Sequence, residues 1–305
     1  MPIKASAKTH TGNIRAGNED CFISDDGLGL WLVADGMGGH EAGEVASAIV
    51  AQVIVDEIRD GRNLSDAIQR SHRSILDATE QGHGAHGMGS TVVAIRRIEA
   101  NRWQLGWVGD SRAYLWTPQP GGQGGELQQI SRDHSYVQAL LDSGAITEEE
   151  METHPDRNVI TQCLGSVEIQ NVRVDIVEND WKPGQKILLC SDGLSDEVND
   201  ASIATTLSET TDSPAAVEKL LAAALQNGGR DNVTLVLIDG PNLPVTAQAT
   251  KSTSPAKADS TKTDGASTKD KTKAQRNKKV QLIVGIVAAC IAAIVLAAVL
   301  IHYIG

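Results

Sequence analysis

The chain has 305 residues, 41% hydrophobic but only 3% aromatic, with a formal net charge of −12. That is enough for one domain with appendages, its core built from Ala, Val, Ile and Leu around five isolated Trp. The acidic balance argues against nucleic acid as a partner, and none is expected. Cys21, Cys163, Cys190 and Cys290 have neither CxxC nor zinc-type spacing, which argues against a disulfide framework and a cysteine-ligated metal.

Met1–Gly17 is polar and has no apolar segment of the signal-peptide kind, so the head is expected to stay where it is made. Leu28–Ala34 is the first short, β-rich run of the buried-strand type. Glu41–Arg59 and Leu64–Glu80 follow with helical spacing, then the strand runs Ser90–Ile95 and Trp103–Val108. Gly121–Gly125 reads as a hairpin tip, and Asp142–Gly165, with Glu148-Glu-Glu150 and His154-Pro-Asp-Arg157, as a charged helix-loop. Ile187–Cys190 and Val233–Ile238 are strands, with the helical pattern Ser213–Leu225 between them. Strands in clusters separated by helical pairs predict an α+β fold, a layered sandwich of antiparallel sheets covered by helices.

Residues 241–279 differ in texture, being Lys, Thr, Ser, Ala and Asp with almost no large apolar residue, as a disordered linker would be. They carry nine basic and three acidic residues, so of the net −12 the first 240 residues hold −18. Residues 280–304 are nearly all apolar, Val280–Ile301 being interrupted by Gln281 and Gly285 alone, and predict one C-terminal transmembrane helix. Arg276, Lys278 and Lys279 flank it on one side, so the large domain is expected in the cytoplasm, anchored to the inner (plasma) membrane by a single pass.

Four aspartates sit at strand ends: Asp35, Asp110 and Asp192 follow their strands, and Asp231 precedes its own. If the Asp231 strand runs antiparallel to the others, all four meet at one end of a sheet. Carboxylates that close repel unless protonated or neutralised by cations, and an oxygen-only set suits Mg²⁺ or Mn²⁺. Taken singly, each could be a turn residue, as Asp before Gly often is.

The motifs Arg15-Ala-Gly-Asn18-Glu19-Asp20, Asp35-Gly-Met-Gly-Gly-His40 with Gly43-Glu44, and Met88-Gly-Ser-Thr91 come in that order. Gly109-Asp-Ser-Arg112, Asp133-His134-Ser135, Ser191-Asp-Gly-Leu194 and Arg230-Asp-Asn-Val-Thr234 complete the series. Together they make residues 1–240 resemble the metal-dependent PP2C (PPM) protein serine/threonine phosphatases of bacterial type. The resemblance implies a central β-sandwich of two antiparallel sheets flanked by helix pairs, with a binuclear Mn²⁺ or Mg²⁺ centre at one end. It implies that Asp35 bridges two metals, Gly36 offers its carbonyl, Asp192 and Asp231 bind the second metal, and Glu19 holds metal-bound water. Asp110 with Asp192 would bind a third, looser metal, and Arg15 would clamp the substrate phosphate. Attack on phosphoserine or phosphothreonine would come from a water or hydroxide bridging the metals, leaving Ser90, Ser111 and Ser191 with structural duties.

Animal members place a histidine where this chain has Met37, so the proton donor to the leaving group is unassigned; His40 is read as locally structural. The expected partners are phosphorylated proteins, a bacterial Ser/Thr kinase and its substrates, and the membrane through the C-terminal helix. Asp142–Gly165 corresponds to the family's flap. Two other readings are a phosphatase dedicated to one regulatory protein and a membrane-anchored pseudophosphatase scaffold, against which the intact Asp35, Asp192, Asp231 and Arg15 count.

Overall fold

The computed structural model describes residues 3–38, 42–119, 121 and 124–241. The predicted linker from residue 242, the predicted membrane helix 280–304 and His40 lie outside the described residues. Among the described residues no helix is long and apolar enough to cross a membrane.

In chain order the elements are β1 (Lys4–His10), β2 (Asp20–Asp25), β3 (Leu30–Met37), α1 (Ala42–Arg59), α2 (Leu64–Glu80), β4 (Gly89–Ser90), β5 (Val92–Glu99), β6 (Arg102–Val108) and β7 (Arg112–Pro118). There follow β8 (Gly125–Gln129), α3 (Tyr136–Ser143), α4 (Glu148–Glu152), β9 (Asp175–Asp180), β10 (Lys186–Cys190), α5 (Asp192–Ser195), α6 (Asp200–Glu209), α7 (Ser213–Asn227) and β11 (Val233–Asp239). One sheet runs β1-β11-β10-β7-β8 and the other β2-β3-β5-β6-β9, with β4 pairing β3; every pairing is antiparallel.

The alternation of side chains along a strand builds the layers. In β3, Leu30, Leu32 and Ala34 pack under α1 and α2, while Trp31 and Val33 enter the space between the sheets. In β11, Val233, Leu235 and Leu237 meet the layer of α6 and α7, and Val236 and Ile238 face inward. The result is the expected helix-sheet-sheet-helix stack. Helix α1 buries Ala46, Val50, Ile54 and Ile58 at intervals of four, as a helix with one core-facing stripe must. Asn63, Asn199 and Asp212 cap α2, α6 and α7 by accepting from backbone N–H groups in the first turn.

At one end of the sandwich the inward-facing positions change from apolar to polar. Continuing the alternation, Trp31 and Val33 lead to Asp35, Val93 and Ile95 to Thr91, Ala113 and Leu115 to Ser111, and Ile187 and Leu189 to Ser191. On β11 the same step leads from Val236 to Thr234. Two expectations are corrected here. Asp35 lies within β3 and does not follow it, and the aspartates meet between two sheets, not at the end of one, because Asp35 belongs to one sheet while Asp192 and Asp231 flank strands of the other.

Candidate active site

The loop from Thr11 to Glu19 is fastened to the turn before β11. The Asn232 amide donates to the carbonyls of Thr11 at 2.8 Å and Gly17 at 2.9 Å, and its oxygen accepts from the Glu19 N–H at 2.7 Å. Gly12 sits at φ 83°, and a Cβ there would lie 2.2 Å from the Asp231 carbonyl oxygen, so no other residue fits. The loop thereby presents Arg15, which donates to Asp231 Oδ2 at 2.5 Å. The guanidinium expected to meet phosphate thus rests on a carboxylate expected to meet a metal.

On the other side of the cleft, β3 passes beneath the start of α1. A Cβ on Gly36 would lie 2.1 Å from the Gly43 carbonyl oxygen, and one on Gly43 would lie 2.6 Å from the Glu19 carboxyl carbon. Glycine at both positions therefore lets β3, Glu19 and α1 close on one another. The Gly36 N–H donates to the Glu19 carbonyl at 3.1 Å, and the Thr91 N–H donates to the Asp35 carbonyl at 2.8 Å.

Asp192 opens α5 directly after β10. Neighbouring Ser191 donates to Asp20 Oδ2 at 2.8 Å and accepts from the Thr234 N–H at 3.0 Å, joining the two sheets across the site. Thr91 and Ser111 make a second such link, hydroxyl to hydroxyl, at 2.7 Å. The serines are spent on these bonds, as expected of structural hydroxyls. Asp110 sits in the β6–β7 turn after Gly109, whose φ of 104° and 2.6 Å approach of a would-be Cβ to Thr91 leave no room for a side chain.

The electrostatics follow from this crowding. The Asp35 carboxyl is pushed well above its usual range, first by removal from water and then by Asp20, Asp192, Asp110 and Asp231. Asp192 is raised likewise, by desolvation and then by Asp110, Asp196, Asp231 and Asp20. Desolvation lifts Asp110 to about 7, with Asp133 adding to it and Arg112 opposing. Asp20 rises to about 6 through desolvation, against the pull of hydrogen bonds from Thr234 and Ser191.

Divalent cations fit these residues. The donors are oxygens only, and Asp20 Oδ1 and Asp192 Oδ1 are buried with no hydrogen-bond partner, an expensive state that a cation relieves. Among the described residues no three of these side chains close on one point at ligating distance, so a cation here would take few carboxylates and keep much of its water.

Asp35, Asp110, Asp192 and Asp231, with Gly36, Glu19 and Arg15 beside them, are therefore gathered at one end of the sandwich. Asp20 was not singled out from the sequence, although it opposes Asp35 in the β2–β3 register and shares its face. The signal was present: Asp20-x-Phe22 is the antiparallel complement of Val33-x-Asp35. Beside the cluster lies a cavity of about 1020 Å³, with Asp110, Asp192, Glu148, Met151 and Arg157 among its lining.

Fold and site together define a class, the metal-dependent phosphatases built on a layered sandwich. Residues 15–227 match the family described as Protein phosphatase 2C. The serine/threonine protein phosphatase PstP of Mycobacterium tuberculosis is 37% identical over 245 residues, covering 78% of this chain and 45% of that protein, so the chain spans about half the length of this relative. The serine/threonine phosphatase stp of Listeria monocytogenes is 33% identical over 250 residues, 78% of this chain and 96% of that one. The crystal structure of the PstP catalytic domain with two manganese ions superposes with a TM-score of 0.67 at 35% identity, over 78% of this chain and 98% of that one. The chain belongs to the protein phosphatase 2C family.

Proposed function

We propose that the protein hydrolyses phosphoserine and phosphothreonine in proteins and reverses Ser/Thr kinase action close to a membrane. The observation that carries the reading is the convergence of Asp20, Asp35, Asp110, Asp192 and Asp231 at the polar end of the sandwich, with buried oxygens of Asp20 and Asp192 lacking a partner. In this reading Asp35, the Gly36 carbonyl, Asp192 and Asp231 hold two divalent cations, and Asp110 with Asp192 holds a third. Bound there, such ions supply Lewis-acid polarisation of water and of the phosphoryl oxygens.

The chain's own groups then have distinct tasks. Glu19, its carboxyl against Gly43, orients water at the cluster. Arg15, whose side chain is 52% exposed, gives up Asp231 Oδ2 and turns its fork to the phosphate of an arriving substrate. Ser191, Thr91 and Asn232 keep the two sheets and the Arg15 loop in register while this happens.

The location is part of the proposal. Residues 280–304 would hold the chain in the inner membrane with the head in the cytoplasm, and the +6 linker would lie along an anionic leaflet that repels the −18 head. If residues 241–279 behaved as a flexible linker they would span about 35 Å, enough to let the head reach juxtamembrane kinases and their substrates.

The test is hydrolysis of a phosphothreonine peptide by the full chain in detergent, with Mn²⁺ and with chelator, beside Asp192→Ala. Metal-dependent turnover that the substitution abolishes is expected. A wild-type chain inert with several metals and phosphopeptides would favour the scaffold reading, to which the Arg15–Asp231 pair lends its one structural support. Fractionation of cells carrying the chain with and without residues 280–304 tests the anchor, and an unchanged distribution would sink it.

A further inference from the structure

We propose that Ile14 is a specificity-determining residue, an apolar contact for a large aliphatic side chain that lies one or two positions from the phosphorylated residue of a substrate. The inference rests on the reading of Arg15 as the phosphate clamp and names the kind of peptide that the clamp receives. Ile14 immediately precedes Arg15, is 72% exposed, and belongs to none of the three apolar clusters formed by the described residues. An isolated aliphatic side chain on a protein surface ordinarily calls for no explanation. Ile14 differs because the backbone that carries it is pinned on both sides, and because it adjoins the group expected to meet phosphate.

On the side before Ile14, the Asn13 N–H donates to the Gly229 carbonyl at 2.7 Å. The Asn13 side-chain amide donates to the carbonyls of Leu225 at 2.8 Å and Gly228 at 3.0 Å. On the side after it, the Gly17 carbonyl accepts from Asn232 at 2.9 Å, a bond that persists when Arg15 leaves Asp231 for a phosphate. Ile14 therefore cannot turn inward without breaking the bonds that hold the loop to α7 and to the turn before β11. Its exposure to water is unfavourable, and a side chain that packs on it relieves part of that cost. Because the loop is already fixed, little freedom is lost when the contact forms. Neighbouring Cα atoms lie about 3.8 Å apart, and an extended peptide advances about 3.3 Å per residue. A peptide whose phosphate sits on Arg15 thus brings its first or second neighbouring side chain over Ile14. The isoleucine offers no charge, donor or acceptor, so the matching side chain is aliphatic, and the contact acts on binding of the peptide and not on the phosphoryl group.

The test uses the full chain in detergent with Mn²⁺ and a set of phosphothreonine peptides that differ only in carrying Leu or Ala at each of the first two positions on either side of the phosphothreonine. At one of those positions the wild type should prefer Leu over Ala about tenfold in kcat/KM, with the difference carried by KM. Ile14→Ser should bring that ratio to within about twofold of unity, and Ile14→Val should keep most of it. Arg15→Ala is the control and should slow the Leu and Ala peptides alike, as loss of a phosphate contact must. A wild type with no Leu preference at any position, or a preference that survives Ile14→Ser, overturns the specificity role and leaves the proposed hydrolysis standing. So does an equal fall with both peptides in Ile14→Ser, which marks a residue that only supports the loop. If Arg15→Ala changes nothing, Arg15 is no clamp and the inference falls with that reading. If the wild type hydrolyses none of the peptides, the proposed function itself falls and takes the inference with it.

Discussion

Replacing Asp20 by Asn should make the metal-free protein more stable and the metal-loaded one weaker. Asp20 is raised from 3.8 to about 6, chiefly because the fold takes its carboxylate out of water. Between those two values the folded chain holds a proton that the unfolded chain has released, so stability falls as pH rises through that window. Below 3.8 both states are protonated and the penalty vanishes; above about 6 it applies in full, at about 3 kcal/mol. Asn cannot ionise, and its amide oxygen still accepts from Ser191, so Asp20→Asn should recover most of that amount at neutral pH. For a domain of this size the gain corresponds to a rise of roughly 6–12 °C in unfolding temperature. The assay is thermal unfolding in chelator from pH 3.5 to 8, repeated in Mn²⁺. In chelator the two proteins should coincide at the acid end and separate with rising pH; in Mn²⁺ the order should narrow or reverse, since a neutral amide serves a cation cluster less well. Parallel pH profiles in chelator, or a mutant less stable than wild type at pH 7.5, would refute the reasoning.

Asn232→Ala removes three hydrogen bonds that fasten the Arg15 loop, so it should cost about 2–4 kcal/mol in urea unfolding and raise KM more than it lowers kcat. Gly36→Ala places a methyl group 2.1 Å from the Gly43 carbonyl oxygen and should cost about 3 kcal/mol or more, with loss of Mn²⁺ binding seen by calorimetry even where the protein still folds. Trp31→Ala, at a fully buried position between the sheets, should cost about 3–5 kcal/mol in denaturant unfolding, and a value under about 1 kcal/mol would contradict the layer assignment.

The layers and most of the site were legible in the sequence for one reason: strands buried on both faces are nearly continuous apolar runs, and their polar ends stand out. Leu30–Ala34, Trp103–Val108 and Val233–Ile238 all carry that mark. β1, β2 and β9 do not, because they lie at sheet edges and are half polar; the β9 sequence Asp-Ile-Val-Glu-Asn-Asp reads as a loop until its pairing with β6 is known. Asp20 was lost along with β2, since its meaning lies in its partner Asp35 and not in its neighbours. Nor does spacing reveal that Arg15 settles on Asp231, a contact between residues 216 positions apart.

The polar end of the inter-sheet layer gives the domain an unusual mechanical character. Asp20 and Asp35 belong to one sheet, while Asp192 and Asp231 flank strands of the other. An ion shared between the two sets would act as a rivet through both halves of the sandwich, whereas elsewhere the halves are pressed together by the apolar layer in which Trp31 and Val33 of β3 meet Val236 and Ile238 of β11. At about a hundred times its dissociation constant a single rivet adds roughly 2.7 kcal/mol. A chelator should therefore behave as a mild, local denaturant, loosening the sandwich from its reactive edge inward, and cellular supply of the ion would govern how long the protein survives as well as how fast it works.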